Sequence, residues 1–369
     1  MIVLRWVVDR GLHRGALAGI VLGDMTFASI VGVAVVVYLG LAGGADTDLL
    51  LSFGITAILV VGLQTFVGNT GVVSFAPMAF MGVGAYAAAV VAIPPATKAL
   101  VLPDLPVVLQ DLALPLAPAM LIGGGAAAIV ALLTGLVLMR LTGIAAGITS
   151  LGVLVIVNEL IRNADAFTRG SRTIFGVPAS ADLPWVFGTL VAAMGLAALL
   201  KASSYGLRAR AVRDDELAAT TAGINPLTAR LWPYLMFGFI SGVAGALWAH
   251  HLTAFSPNSF FVAQTIPIIV MLVIGGTNSV AGALVGAILL TLWLELIRPI
   301  EAGALGIPAL NGIALLSVGV GLIVLLRWRS SGALGAKEAQ FLPRHASVPD
   351  PSDGGHSGQL AKEEEKVNE

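Results

Sequence analysis

The chain has 369 residues, 57% of them hydrophobic and 11% charged, with a mean hydropathy of +0.94 and a net charge of -1. A soluble domain carries about 25% Asp, Glu, Lys and Arg, so this composition suits a polytopic chain dissolved in lipid, where the 44 glycines allow helices to approach closely. Near-neutral charge argues against nucleic acid as a partner, and the absence of cysteine excludes disulfides, thiolate metal sites and a cysteine nucleophile.

A helix needs about twenty apolar residues to cross the hydrocarbon, where its backbone must satisfy its own hydrogen bonds. Residues 1–24, with Arg5, Arg10 and Arg14, read as a cytoplasmic or interfacial lead-in. The extended charged lead and the long apolar run behind Asp24 argue against a cleaved signal peptide. Apolar runs follow at 25–43, 49–67, 72–93, 116–138, 141–161, 183–200, 229–250 and 310–326. Residues 265–297 are too long for one crossing and are interrupted by "GGTNSVAG" at 275–282, which predicts two helices meeting at a tight turn. The expected fold is an all-α polytopic bundle of about ten transmembrane helices over 25–329. Residues 330–369, rich in Pro, Gly, Ser and charge, read as a disordered cytoplasmic tail.

Lysine and arginine in short loops set orientation. With this count of crossings, Arg140, Lys201, Arg208, Arg210, Arg213, Arg327 and Arg329 fall on one side with the N-terminal arginines. That side is expected to be the cytoplasm, with both termini inside. Arg162, Arg169 and Arg172 fall outside, partly offset by Asp165.

The segment 203–226 contains "RDDELAATTAGINP", an unusual concentration of charge. Asp214, Asp215 and Glu216 stand where a helix N-terminus favours negative charge. Gly223 suits the left-handed residue that ends a helix, and Asn225 followed by Pro226 suits the cap and first residue of the next. The pattern spells a short capped helix under the membrane. Read blandly, it is a solvated loop that sets topology, a task that needs only basic residues. Read functionally, it is a docking foot for a separate subunit.

"GNTG" at 68–71 and "GGTNS" at 275–279 both interrupt apolar sequence, and their likeness suggests an inverted internal repeat. In that reading Asn69, Thr70 and Asn278, with Ser74 and Tyr86, line a translocation path. The plainer reading, favoured about two to one as a judgement, is a pair of interhelical turns on the cytoplasmic side. Gly82, Gly84, Gly282 and Gly286 read as helix-packing positions. His250 and His251 diverge by about 100° on a helix and cannot share a metal; they are expected at the outer interface. Glu159, Glu295 and Arg298 sit near outer helix ends, with the last two spaced to pair. No Gly-Lys-Ser/Thr loop occurs, so a P-loop for ATP is absent from the chain. No cofactor, metal or catalytic set is expected. An ion-coupled carrier would hold a carboxylate near the bilayer midplane, and none is clearly placed there.

Four blocks give the chain a resemblance to the permease subunits of branched-chain amino acid ABC importers, of the LivM type in the LivH/LivM family. They are "GLQTFVGNTGVVSFAPMAFMGVGAYAAAV" (62–90), "TRGSRTIFGVP" (168–178), "YGLRARAVRDDELAATTAGIN" (205–225) and the stretch 251–290 with "SPNSFF" and "GGTNSVAGALVGA". The third is close to a Y-G-R-x-x-x-A-I-R-x-x-E-x-A-A-x-x-x-G-[IV] pattern. The resemblance implies an ATPase-coupling role for Arg213, Glu216, Ala219, Gly223 and Ile224, with Asp214 and Asp215 at positions that tend to be charged. It further implies a LivH-like sister permease, two cytoplasmic ATPases that bind the ATP and magnesium, an extracytoplasmic solute-binding protein, and a multi-pass place in a bacterial cell membrane. The solute implied by default is a branched-chain amino acid; urea, short amides and other small carboxylates are served by similar proteins. This sequence departs from the pattern at Ala76-Pro77 (Gly-His), Arg169 and Thr173 (both Gly), and Thr277-Asn278 (Met-Gly or Leu-Gly).

Overall fold

A computed structural model of the chain describes residues 47–301, 312–313 and 316–321. The expected span 25–43, the N-terminal arginines, most of 310–326, and the tail lie outside the described residues. In chain order the helices are α1 (Thr47–Thr70), α2 (Pro77–Ala92), α3 (Pro95–Val101), α4 (Val107–Gln110), α5 (Leu116–Leu138) and α6 (Gly143–Asn163). There follow α7 (Asp165–Thr168), α8 (Leu183–Ala202), α9 (Ser204–Asp214), α10 (Glu216–Thr221), α11 (Pro226–Leu252), α12 (Val262–Gly275) and α13 (Val280–Glu301). Among the described residues seven helical segments are long and apolar enough to cross a membrane: α1, α5, α6, α8, α11, α13, and α12 with the 3-10 turn Pro257–Phe260 before it. The 16-residue α2 is a shorter apolar helix. Each apolar run expected between 47 and 301 thus contains a helix, including the pair α12 and α13 on either side of the 276–279 turn.

Contacts between connecting segments sort the helix ends into two groups. At one end Lys201 and Arg213 reach Asn278, and Arg213 reaches Gly68. At the other, Ser52 meets His251, Arg162 meets Asn258, and Ile174–Phe175 pairs antiparallel with Ala254–Phe255. Successive long helices therefore run in alternating directions. The end with Lys201 and Arg213 is called the basic end below.

α11 is the axis of the packing, lying against α5, α2 and α1. Small residues make this closeness workable: a Cβ on Gly84 of α2 would fall on the backbone of Gly242 of α11. Gly286 of α13 is similarly set on the carbonyl of Met271 of α12, so the expected packing role of these glycines is realised. Phe66, Phe80, Tyr234 and Phe237 fill the space between α1, α2 and α11 with ring centroids 5.0–6.1 Å apart. The rings stand mostly edge to face, as their quadrupoles favour. By contrast α5 and α6 turn Leu121, Ile129, Leu133, Ile144 and Ile148 outward, a surface that water penalises and lipid does not.

Two features depart from the sequence expectation. The run 72–93 is helical only over Pro77–Ala92. Gly71 takes φ +70, and Pro77 at the first helical turn has no N–H to extend the helix backward. Of the irregular residues between, Val72, Ser74 and Ala76 are buried while Val73 is exposed, and the Phe75 N–H is satisfied by Ser150 Oγ at 2.8 Å. Non-helical backbone at this depth is tolerated where protein covers it. At the other end, α3 and α4 form a strap over 94–115 pinned by Lys98, which is fully buried and donates to the carbonyls of Leu109 at 2.8 Å and Leu112 at 2.6 Å. Burial lowers the pKa of this ammonium, and Asp111 opposes the shift.

Candidate functional site

The 203–226 segment folds as two short helices. Ser203 caps α9, its Oγ accepting from Gly206 N at 3.3 Å. Gly206, Ala209 and Val212, three residues apart, form the buried stripe of α9. The chain then breaks at Asp215, which has extended backbone (φ -154, ψ 107) and accepts from Ala218 N at 2.9 Å as the cap of α10. Asp214 was expected with it at the helix head but is the last residue of α9. An extended cap residue ends one helix as it starts the next, so adjacent acids are divided between the two. Gly223 takes φ +82, with nothing within 4 Å of where a Cβ would be, so the requirement there is conformational. Asn225 accepts from Leu227 N at 3.0 Å, and Pro226 opens α11.

α10, hereafter the foot, is attached by packing and by charge. Ala219 is buried with Val212 and Ala229, and Ile224 packs on them. Glu216 accepts from Arg230 Nη2 at 2.6 Å; the Arg230 side chain is 7% exposed and that of Glu216 45%. Arg230, in the first turns of α11, had no part in the sequence reading. Its partner lies fourteen residues away across a turn, a spacing no helical periodicity reveals. The outer surface of the foot is Leu217, 77% exposed, with Asp214, Asp215, Ala218 and Thr220 also exposed.

Lys201 of α8 and Arg210 and Arg213 of α9 turn toward the bundle, while Arg208 is exposed. Arg213 Nη1 donates to Gly68 O at 2.7 Å and to Asn278 Oδ1 at 2.9 Å, while its Nε meets Asp214 Oδ1 at 3.3 Å. Arg210 Nη1 donates to Asn69 Oδ1 at 2.9 Å, and Lys201 Nζ donates to Asn278 O. Gln64 Nε2 adds a bond to Thr277 O at 3.3 Å. The last turn of α1 presents a carbonyl that helix geometry leaves without a donor, and the 276–279 turn presents the carbonyls of Thr277 and Asn278. A cation at the end of α1 is favoured by the helix dipole, and each cation here by charge-assisted bonds. The cluster is a latch joining α8, α9, the end of α1 and the α12–α13 turn.

The residues considered for a solute path divide. Asn69, Thr70 and Asn278 stand in or beside the latch. Asn69 Nδ2 donates to Thr65 O at 2.8 Å, and Thr70 Oγ1 to Phe66 O at 2.9 Å. Residues 68–71 close α1, and 275–279 join α12 to α13, both at the basic end. Ser74 is fully buried in the irregular segment before α2, its Oγ accepting from Ala76 N at 3.3 Å. Tyr86 lies apart from these, 4% exposed, edge-on to Phe255 and Phe260 near the opposite end, its hydroxyl without a partner. Elsewhere, Arg298 pairs with Glu295 at 3.2 Å as its spacing suggested. His251 bonds Ser52, whereas His250 turns inward to Ala246 O. Arg169, where the family pattern has glycine, holds φ 64, a conformation glycine favours; its guanidinium lies 4.9 Å over the Phe175 ring.

Comparison with known proteins bears on this arrangement. The family model described as "Branched-chain amino acid transport system / permease component" matches residues 47–325. The protein of Escherichia coli (strain K12) named "High-affinity branched-chain amino acid transport system permease protein LivM" is 29% identical over 124 residues, 34% of this chain and 27% of that protein. Its namesake from Salmonella typhimurium is 28% identical over 124 residues, with the same shares covered. The matched part is thus about a quarter of these relatives' length. No solved structure matches.

Proposed function

This chain belongs to the branched-chain amino acid transport system permease family, and from that premise we propose that it is one membrane-spanning half of an ATP-driven importer of small aliphatic amino acids. In this reading a LivH-like sister permease supplies the other half. A solute-binding protein delivers cargo at the outer end, and two cytoplasmic ATPases sit at the basic end. ATP and magnesium belong to those ATPases, in keeping with the absence of a Gly-Lys-Ser/Thr loop here. The bundle then has about ten crossings, with 25–43 and 310–326 added to the helices described, an inverted repeat relating its halves, and both termini in the cytoplasm of a bacterial cell.

One observation carries the reading: the foot is bound to the bundle at several independent points. Glu216 holds it to Arg230 at the head of α11, and the adjoining α9 is latched through Arg213 and Arg210 to α1 and the α12–α13 turn. A motor that pushes on Leu217 and its acidic neighbours therefore moves α1, α11 and the α12–α13 pair together. When ATP draws the two motors together, the feet follow and the path opens outward to the loaded binding protein. After hydrolysis the feet part and the path opens inward. The described residues bury no Asp or Glu, so this geometry lends no support to a carrier driven by a midplane carboxylate.

The test uses the natural lack of cysteine. With the importer assembled in cells, the exposed Thr220→Cys is expected to react with an impermeant thiol reagent in inverted vesicles and to be silent in intact spheroplasts. Reconstituted with its partners, the chain is expected to support ATP-dependent leucine uptake. Labelling of Thr220→Cys from outside, or uptake by the purified chain without an ATPase, would overturn the proposal.

A further inference from the structure

A cavity of about 260 Å³ lies between α1, α2, α11 and α12, outside the latch and away from the residues considered for a path. Its mouth is at the end opposite the latch, where Thr56, Ser259 and Gln264 are at least partly exposed. Its wall is soft and apolar, made by Met78, Met81 and Met271, each no more than 6% exposed, with Trp248 beside them. From Gln264 to Met271 the cavity follows seven residues of α12, about 10 Å at 1.5 Å per residue, so it runs from the outer end into the bundle.

The lining defines what would fit. It contains no charged side chain, so an ion with a net charge would lose its hydration without a counter-charge. The wall offers polarizable thioethers on flexible stems, which adapt to aliphatic groups of differing branching. The mouth offers a hydroxyl from Thr56, another from Ser259 and an amide from Gln264. Pro267, within α12, also lines the cavity. A zwitterion has a carboxylate that accepts from the hydroxyls and the amide and an ammonium that donates to their oxygens, and its net charge is zero.

We propose that this methionine-walled cavity is a transient binding station for the aliphatic side chain of a neutral amino acid, with the ammonium and carboxylate held at the Thr56–Ser259–Gln264 mouth. The assignment rests on reading the chain as a permease and adds to it the place and chemistry of the solute. Occupancy is weak by design, because a step on a path must release what it binds.

In the cysteine-free background, Met271→Cys is made in the assembled importer, with the outward-facing Leu133→Cys, 63% exposed, as a lipid-side control. A small water-soluble methanethiosulfonate is expected to modify Met271→Cys at least tenfold faster than Leu133→Cys. Millimolar leucine is expected to slow it at least threefold, and millimolar glutamate to leave it unchanged. Met271→Trp, which fills the cavity, is expected to cut leucine uptake at least tenfold while ATP hydrolysis stimulated by the loaded binding protein stays within twofold. Leu133→Trp, on the outward-facing surface, is expected to transport near the wild-type rate, which separates blockage of the cavity from a general effect of added bulk. If the wild type takes up leucine with ATP but Met271→Cys is unreactive, or is slowed equally by glutamate, or Met271→Trp transports normally, the station is refuted and the permease reading stands. If leucine protects Met271→Cys but ATP drives no uptake, the station stands and the importer reading fails.

Discussion

Arg213 joins α9, which adjoins the foot, to the end of α1 and to the α12–α13 turn, so its removal tests the latch directly. Arg213→Met keeps the length and apolar stem of the side chain and deletes the bonds to Gly68 O and Asn278 Oδ1 at 2.7 and 2.9 Å. A hydrogen bond from a charged donor contributes about 1.5–3 kcal/mol. The side chain is 28% exposed, so the lower end applies, and the two bonds together hold the latch by about 3 kcal/mol. That is roughly a hundredfold in the balance between latched and free arrangements. The Arg210–Asn69 and Lys201–Asn278 bonds remain, so the single substitution should loosen the joint without opening it. Proteoliposomes with the complete importer are assayed for leucine uptake and phosphate release in the same sample. Arg213→Met is expected to lower uptake per ATP several-fold, and Arg213→Met with Arg210→Met more than tenfold, with hydrolysis itself within twofold of wild type. Arg213→Lys, which keeps a charged nitrogen able to serve both acceptors, should recover part of the ratio. An unchanged ratio in the double variant would refute the latch. Loss of the ATPase from the complex, with a normal ratio in what survives, would mean that Arg213 contacts the motor.

Further outcomes follow from neighbouring contacts. Glu216→Lys is expected to destabilise the foot by about 2–3 kcal/mol by leaving buried Arg230 without its counter-charge. The exchange Glu216→Arg with Arg230→Glu should recover ATPase co-purification if the pair acts within the chain and not on the motor. Leu217→Asp changes an exposed side chain and should shift the melting temperature of the purified chain by less than about 2 °C, yet weaken ATPase retention at least tenfold in a pull-down. Gly223→Ala meets no neighbour, so its cost is the left-handed backbone alone, about 1 kcal/mol, visible as faster proteolysis at the foot with little change in overall melting. Lys98→Met leaves the carbonyls of Leu109 and Leu112 without their donor and should render the 94–115 strap cleavable by added protease at the outer face while uptake persists.

What was legible in the sequence was local. The capping grammar of the foot was readable from Asp215, Gly223 and Asn225, because a cap, a left-handed glycine and a proline at the first turn each depend on a few adjacent residues. The paired helices around 276–279 were readable from length alone. α9 is signalled by Gly206, Ala209 and Val212 at intervals of three, a narrow buried stripe among polar residues. The shortening of α2 to Pro77–Ala92 was signalled by Gly71 and Pro77 but outweighed by unbroken hydropathy. Contacts between remote segments were not legible. Nothing near Arg230 points to Glu216, nothing near Lys98 points to Leu109 and Leu112, and a row of arginines in a loop looks alike whether it faces water or a neighbouring helix.

That last ambiguity bears on why basic residues gather at this end of the bundle. α1 ends there and the α12–α13 turn lies beside it, so Gly68 O, Asn69 Oδ1 and the oxygens of Asn278 are within reach of Lys201, Arg210 and Arg213. These charges are thereby supplied with acceptors beside them. A latch built from such residues needs no additional buried charge, because the cations remain at the rim and the acceptors are backbone and amide oxygens. The basic residues at this end thus supply the joint through which a force applied at the foot would be felt within the bundle.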